Sequence, residues 1–266
     1  MQNPKILVSN DDGINSMGID ALATEAKKWG ELIIISPASQ QTARAKALTF
    51  HKPIRIFPSN TISGHKGDAY STLPADSVII CEHLYGKPDI VLSGINAGEN
   101  TSIHSILTSG TCAVAMEGGL KNIPSFAFSI DTPEIYFQGN VIPGNLLLAS
   151  QLSVKIAKLC TEQLEERFWK SVLFVNVNFP DELNEDTKIV LCDLETFKYH
   201  NMLHDREDPK GDKYYWLWGK KRKDFDEKKD TGQVYINKNI AISPVSFIDH
   251  EYLFSAMKKL IPRLNS

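Results

Sequence analysis

The feature that most constrains this chain is a repeated alternation of short apolar runs with longer amphipathic stretches. Lys5-Ile6-Leu7-Val8-Ser9 is a compact apolar run that ends at a polar turn, which suits a strand buried on both faces of a parallel sheet. Ile19, Leu22, Ala23, Ala26 and Trp29 then recur at helical spacing, Gly30 supplies a stop, and Leu32-Ile33-Ile34-Ile35 predicts a second strand. The rhythm continues with a helix from Pro74 to Tyr85, where Pro74 suits the first turn and Asp76 the positive end of the dipole. Asp89-Ile90-Val91-Leu92, Ser125-Phe126-Ala127-Phe128 and Val172-Leu173-Phe174-Val175 predict further strands, separated by a helix over 111–120 and an amphipathic stretch over 145–166. Strands alternating with helices imply an α/β fold with a doubly wound, mostly parallel sheet, carried by residues 1–180. After Asp181 the composition changes to short strand-like pieces, the basic run Lys220-Lys221-Arg222-Lys223 and the mixed-charge stretch 224–230. Residues 181–266 therefore read as a β-rich extension packed on the same core, with an exposed arm around Lys220 to Asp230.

Composition narrows the function. The chain of 266 residues is 42% hydrophobic and 23% charged, with a formal net charge of -3. No general attraction to a nucleic-acid polymer or a membrane surface follows from that balance, so a small anionic ligand would need a local site. No apolar run approaches the roughly 20 residues of a membrane helix. Met-Gln-Asn-Pro-Lys lacks the three-part pattern of a signal peptide. Cys81, Cys112, Cys160 and Cys192 are widely spaced, which suits free thiols in a reducing compartment. A cytoplasmic location is expected.

In open α/β sheets ligands bind outside the carboxyl ends of the strands, so the residues that follow each strand are the test. The first strand delivers Asn10-Asp11-Asp12-Gly13; the second delivers Ser36-Pro37 and a loop with Ser39 and Thr42. The Asp89 strand delivers Ser93-Gly94-Ile95-Asn96-Ala97-Gly98-Glu99-Asn100, after which Ser109-Gly110-Thr111 opens a helix. Adjacent carboxylates repel unless a cation or proton compensates them, and oxygen ligands of this kind suit Mg²⁺ or Mn²⁺ better than zinc. Asp11 or Asp12 could instead cap the next helix, with Gly13 merely turning the chain. The N–H groups opening the 111–120 helix can hold a phosphate, although Ser or Thr beside Gly is also a plain helix start. His104 lies in the intervening loop, within reach of a phosphate or leaving group. The other six histidines show no ligand spacing.

Other readings fit less well. An aspartyl-nucleophile phosphatase needs Asp-x-Asp where this chain has adjacent aspartates. A receiver domain needs a phosphoacceptor Asp where this chain has Ser93-Gly94-Ile95-Asn96. A dinucleotide-binding module needs Gly-x-Gly-x-x-Gly, which Gly94 and Gly98 do not supply. A nucleotide sensor that binds metal and phosphate without turnover stays open.

The motifs resemble the SurE family. The resemblance rests on Ile6 to Ile14 with Gly18-Ile19, on Pro74-Ala75-Asp76, on Ser93-Gly94-Ile95-Asn96-x-Gly98-x-Asn100, and on Ser109-Gly110-Thr111 leading to Ala115-Met116-Glu117-Gly118. Val175-Asn176-Val177-Asn178-Phe179-Pro180 and Asp208-Pro209-x-Gly211-x-x-Tyr214-Tyr215-Trp216-Leu217-x-Gly219 extend it along nearly the whole chain. It implies a Rossmann-like core with an oligomerisation arm, homodimers or homotetramers, and one Mg²⁺ or Mn²⁺ per subunit. It also implies hydrolysis of nucleoside 5′- and 3′-monophosphates and of short polyphosphate. Carried over, Asp11, Asp12, Asn96 and Thr42 would bind the metal. Asn10, Asn96, Ser109, Gly110 and Thr111 would hold the phosphate. Three departures fall near these motifs: Thr72-Leu73 where the family has Gly-Thr, Thr108 where it commonly has Tyr, and Ala43 where it has glycine. They imply an altered pocket around an intact metal site.

Overall fold

The computed structural model describes residues 3–132 and 143–247. Strand β1 (Lys5–Ser9) lies at the centre of a nine-stranded sheet, paired in parallel with β2 (Glu31–Pro37) and β5 (Ile90–Ala97). Beyond β5 come β6 (Ser125–Ile130) and β7 (Phe174–Phe179), both parallel. Beyond β2 lies β4 (Lys66–Tyr70), also parallel. Two helices cover each face, as a doubly wound sheet requires. On one face α1 (Met17–Ala26) packs against α5 (Gly144–Gln163), burying Ile19, Leu22, Leu146 and Ile156 with Ile6 and Val8 of β1. On the other, α2 (Asp76–Tyr85) and α4 (Gly110–Leu120) enclose Leu7, Ile33, Ile35, Val78 and Val114. Successive residues of β1 thus feed opposite layers. Each fully buried aliphatic side chain contributes about 1.5–3 kcal/mol.

Helix boundaries follow local chemistry. Ser16 caps α1 by accepting from the Ile19 N–H at 3.4 Å, and the helix stops at Ala26, one turn short of Trp29. The 145–166 stretch divides: α5 ends at Gln163 where Leu164 is extended, and α6 (Glu166–Ser171) restarts to set Trp169 edge-on to Phe126 at 5.5 Å.

Three features depart from the sequence reading. Strand β3 (Ile56–Asn60) pairs antiparallel with β4, so an edge hairpin precedes α2. At the other edge β11 (Ile240–Val245) runs antiparallel to β7 and carries β8 (Ile189–Leu191), so residues beyond 181 enter the main sheet. The arm expected around Lys220 to Asp230 lies earlier. Among the described residues, strands β9 (Tyr199–Glu207) and β10 (Lys213–Lys221) pair only with each other, and nearly all their residues are exposed on both faces. Asp208 closes their turn by accepting from the Lys210 and Asp212 N–H groups, at 2.8 and 2.9 Å. The 224–230 stretch instead returns to the body. It is tied down by Asp230, which is buried at the start of α7 (Asp230–Tyr235) and accepts the N–H groups of Ser102, Glu195 and Thr231 at 2.7–2.8 Å. The part of the extension past residue 247 lies outside the described residues.

Candidate active site

The strand order reverses direction between β1 and β5, since the chain proceeds outward from β1 to β2 and then resumes on the other side. Loops leaving that point diverge and leave a crevice. A cavity of about 210 Å³ lies there, walled by Asp11, Asp12, Thr42, Asn96 and Ser109 together with Glu99, Ser105, Thr108 and Lys198.

The turn after β1 is built by Asn10. Its Oδ1 accepts from the Gly13 N–H at 3.1 Å and from the Ser36 hydroxyl, while its Nδ2 donates to Ser16 Oγ at 2.6 Å. Gly13 is at φ +100, a conformation that only glycine adopts cheaply. Asn10 is therefore buried beneath the cavity and occupied in shaping the turn; it is absent from the wall. The loop after β2 is clasped to this turn, with the Gln41 N–H donating to Asp11 O at 2.7 Å and the Ala45 N–H to Thr108 O at 3.1 Å. That brings Thr42 to the cavity.

Asp11 lies against the N-terminus of α4. Thr111 donates its hydroxyl to Asp11 Oδ1, and Ser109 caps the helix by accepting from the Cys112 N–H at 3.1 Å. A Cβ added to Gly110 would fall 2.6 Å from the Asp11 Cβ, so glycine is what lets the helix approach. Burial pushes the Asp11 carboxyl above the usual carboxylate range, against the Thr111 hydroxyl and backbone hydrogen bonds at Asp11, Gly110 and Thr111. Of the three motif residues, only Ser109 reaches the wall; Gly110 and Thr111 serve Asp11 from behind.

Asn96 leaves β5 beside them. Its Nδ2 donates to Gly98 O at 2.6 Å, so the amide keeps its oxygen as the remaining acceptor. The following loop is pinned by β7: Asn178 Oδ1 accepts from the Asn100 N–H at 2.7 Å, and Asn176 Nδ2 donates to Asn100 O at 3.0 Å. His104 stands in α3 (Ile103–Thr108), but its ring faces Phe197 at 5.4 Å, and Ser105 and Thr108 supply the wall. Of the family departures, Ala43 and Thr108 line the cavity. Thr72 and Leu73 do not; Leu73 donates its N–H to Asp76 at 3.0 Å in the turn before α2.

Sequence reasoning missed Glu99 and Lys198. Both are buried, and Lys198 Nζ donates to Glu99 O at 2.9 Å and to the Glu99 carboxylate. No motif marks a lysine whose partner lies 99 residues away.

Among the described residues no group of three or more His, Cys, Asp or Glu converges as a ready-made metal cluster. The donors that meet here are two carboxylates, an amide oxygen and a hydroxyl, a set that fits a hard divalent cation. Three carboxylates face one ammonium on the wall, so a cation there would relieve an excess of negative charge. Fold and site together define an α/β protein with an acidic, oxygen-lined ligand cavity at the carboxyl edge of its sheet.

Comparison with known proteins agrees. The family model described as Survival protein SurE matches residues 6–201, and the chain belongs to the SurE family. The 5′-nucleotidase SurE of Methanocella arvoryzae is 35% identical over 246 residues, 91% of each chain. That of Prochlorococcus marinus (strain MIT 9515) is 34% identical over 280 residues, covering 100% of this chain and 98% of its own. The crystal structure of the SurE protein from Aquifex aeolicus superposes with a TM-score of 0.78 at 28% identity, covering 97% of this chain and 99% of that one.

Proposed function

We propose that this chain is a divalent-metal-dependent phosphomonoesterase that hydrolyses nucleoside 5′- and 3′-monophosphates, and short polyphosphate, to release phosphate. The observation that carries the reading is the meeting of Asp11, Asp12, Asn96 and Thr42 on one small cavity. The names of the relatives supply the substrate class.

Asp11, Asp12, Asn96 Oδ1 and the Thr42 hydroxyl would hold Mg²⁺ or Mn²⁺, one per subunit. Such a cation supplies charge that polarises a phosphoryl oxygen and acidifies water. The chain's own groups do the rest. Ser109, which caps α4, faces the equatorial oxygens as charge grows on them. Water attacks phosphorus in line, its oxygen forming the new P–O bond as the ester P–O bond breaks. The nucleoside oxygen leaves with a proton, giving nucleoside and inorganic phosphate. Among the described residues lining the cavity, no Ser or Cys is set against a base as a nucleophile. Burial pushes the nearest thiol, Cys112, up to about 12.

The exposed β9–β10 hairpin supports a homodimer or homotetramer in which this arm contacts a second copy. Among the described residues no helix is long and apolar enough to cross a membrane, and the four free thiols suit a cytoplasmic setting.

The test is phosphate release from a nucleoside monophosphate with and without EDTA, for wild type and Asp11→Asn. Chelation should silence the wild type until Mg²⁺ or Mn²⁺ returns, and Asp11→Asn should fold yet lose orders of magnitude in rate. Chelator-resistant turnover sinks the reading. Ala43 and Thr108 on the wall favour one alternative, a nucleotide sensor, which nucleotide binding without release under any metal would select.

A further inference from the structure

We propose that Lys198 is a substrate-contacting residue that receives the phosphoryl group, held ready for it by Glu99; this deepens the nucleotidase reading and rests on it. Lys198 is the single cation among the described residues lining the cavity. It is no solvated surface lysine, being only 3% exposed. An ammonium has three N–H donors, and the Glu99 carbonyl and carboxylate account for two. The third makes no hydrogen bond among the described residues, with the Tyr199 ring centroid 5.3 Å from the ammonium, and it is open to a ligand in the cavity that Lys198 lines.

The surroundings fix this ammonium in advance. Glu99 also accepts the Tyr235 hydroxyl, on the same Oε1 that meets Lys198, so two donors hold that oxygen. Tyr235 in turn carries the Lys221 ammonium over its ring at 2.9 Å, at the root of the hairpin. Lys198 begins that hairpin, next to Tyr199, which pairs with Lys221. A lysine held this way gives up little side-chain freedom when an anion arrives, which is how preorganisation raises affinity. A buried ion pair is otherwise weak support for a fold, because desolvation offsets its attraction. Placement beside Asp11, Asp12 and Ser109 gives this one a ligand to meet. A phosphate monoester carries up to two negative charges into a wall of three carboxylates, and Lys198 is the protein's own counter-charge.

The test compares Glu99→Gln, the double variant Glu99→Gln/Lys198→Met, and wild type, each with saturating Mn²⁺. The double variant removes one charge of each sign, so the wall keeps its net charge and the pair leaves no unpaired ion. Inorganic phosphate and the product nucleoside are each measured as inhibitors, with calorimetric phosphate binding alongside and Mn²⁺ affinity read by titration. The double variant should bind phosphate about tenfold or more weakly, the scale of a lost charged hydrogen bond. Its nucleoside inhibition and Mn²⁺ affinity should stay unchanged, with KM rising more than kcat falls. Glu99→Gln alone should keep phosphate affinity or tighten it. Unchanged phosphate binding in the double variant overturns the proposal, as does equal weakening toward nucleoside, or the same loss in Glu99→Gln. If the double variant does not fold, Lys198→Gln decides alone: phosphate binding weakened about tenfold with nucleoside inhibition kept supports the contact, and unchanged phosphate binding overturns it. A wild type that binds phosphate but never hydrolyses a monophosphate fails the nucleotidase reading, while phosphate binding by the variants still decides the role of Lys198.

Discussion

Ala43 stands on the cavity wall at φ +58, a backbone region where a β-carbon costs about 1–2 kcal/mol. Glycine would remove that cost but add unfolded-state entropy, offsetting about 0.4–1 kcal/mol. Ala43→Gly should therefore raise the melting temperature by about 2 °C. A lower melting temperature in a calorimetric scan would contradict this. Asp131 makes a pH prediction. Its carboxyl is pushed up to about 6, chiefly by burial and then by the nearby Glu99 charge. The folded chain thus binds this proton more tightly than the unfolded chain does. The resulting stability is full below the unfolded value, near 3.8, and is lost as pH rises through about 6. Asp131→Asn should flatten that part of the stability curve, and its advantage over wild type should grow between pH 4 and pH 7. Chemical denaturation at several pH values reads it out; parallel curves for the two proteins would rule it out.

At the scale of elements, the β9–β10 hairpin leaves Trp216, Leu217 and Trp218 each more than 60% exposed, a load of apolar surface that a monomer rarely carries. Trp216→Ser together with Trp218→Ser should leave the nine-stranded sheet folded and lower the mass seen by light scattering. A wild type that stays monomeric at high concentration would remove the arm's role. The hairpin also marks how far the sequence could be read. β1, β2, β5 and β6 were legible because continuous apolar runs identify strands buried on both faces. β3 and β4 were not, because Ile56-Phe57-Pro58-Ser59-Asn60 and Lys66-Gly67-Asp68-Ala69-Tyr70 form a half-exposed edge with no such run. The arm was misplaced because charge drew attention to 220–230, while Asp230 is consumed by three backbone N–H groups. Asp11, Asp12, Asn96 and Thr42 were readable as strand-end residues. The actual duties of Asn10, Gly110 and Thr111 depend on which hydrogen bonds close, and spacing alone does not carry that.

For the whole molecule, a cation that binds only the folded chain must raise its stability. At a hundred times its dissociation constant the gain is about 2.7 kcal/mol. Mn²⁺ should raise the melting temperature of wild type and leave Asp11→Asn nearly unmoved; equal shifts in both would mean that the ion acts elsewhere. The pairing of β1 with β5 has a kinetic consequence as well. Ser9 and Ser93 are partners in that ladder, with Asp11 in the turn two residues past Ser9 and Asn96 within β5 three residues past Ser93. Separating Asp11 from Asn96 therefore means tearing the middle of the sheet, which opens only with the whole domain. Amide protons of 6–9 and 90–93 should accordingly exchange with solvent at the rate of global unfolding, with metal or without it. The apo protein would then wait for its ion with the cradle already assembled, and loading would be limited by diffusion and dehydration of the cation, not by any refolding of the protein.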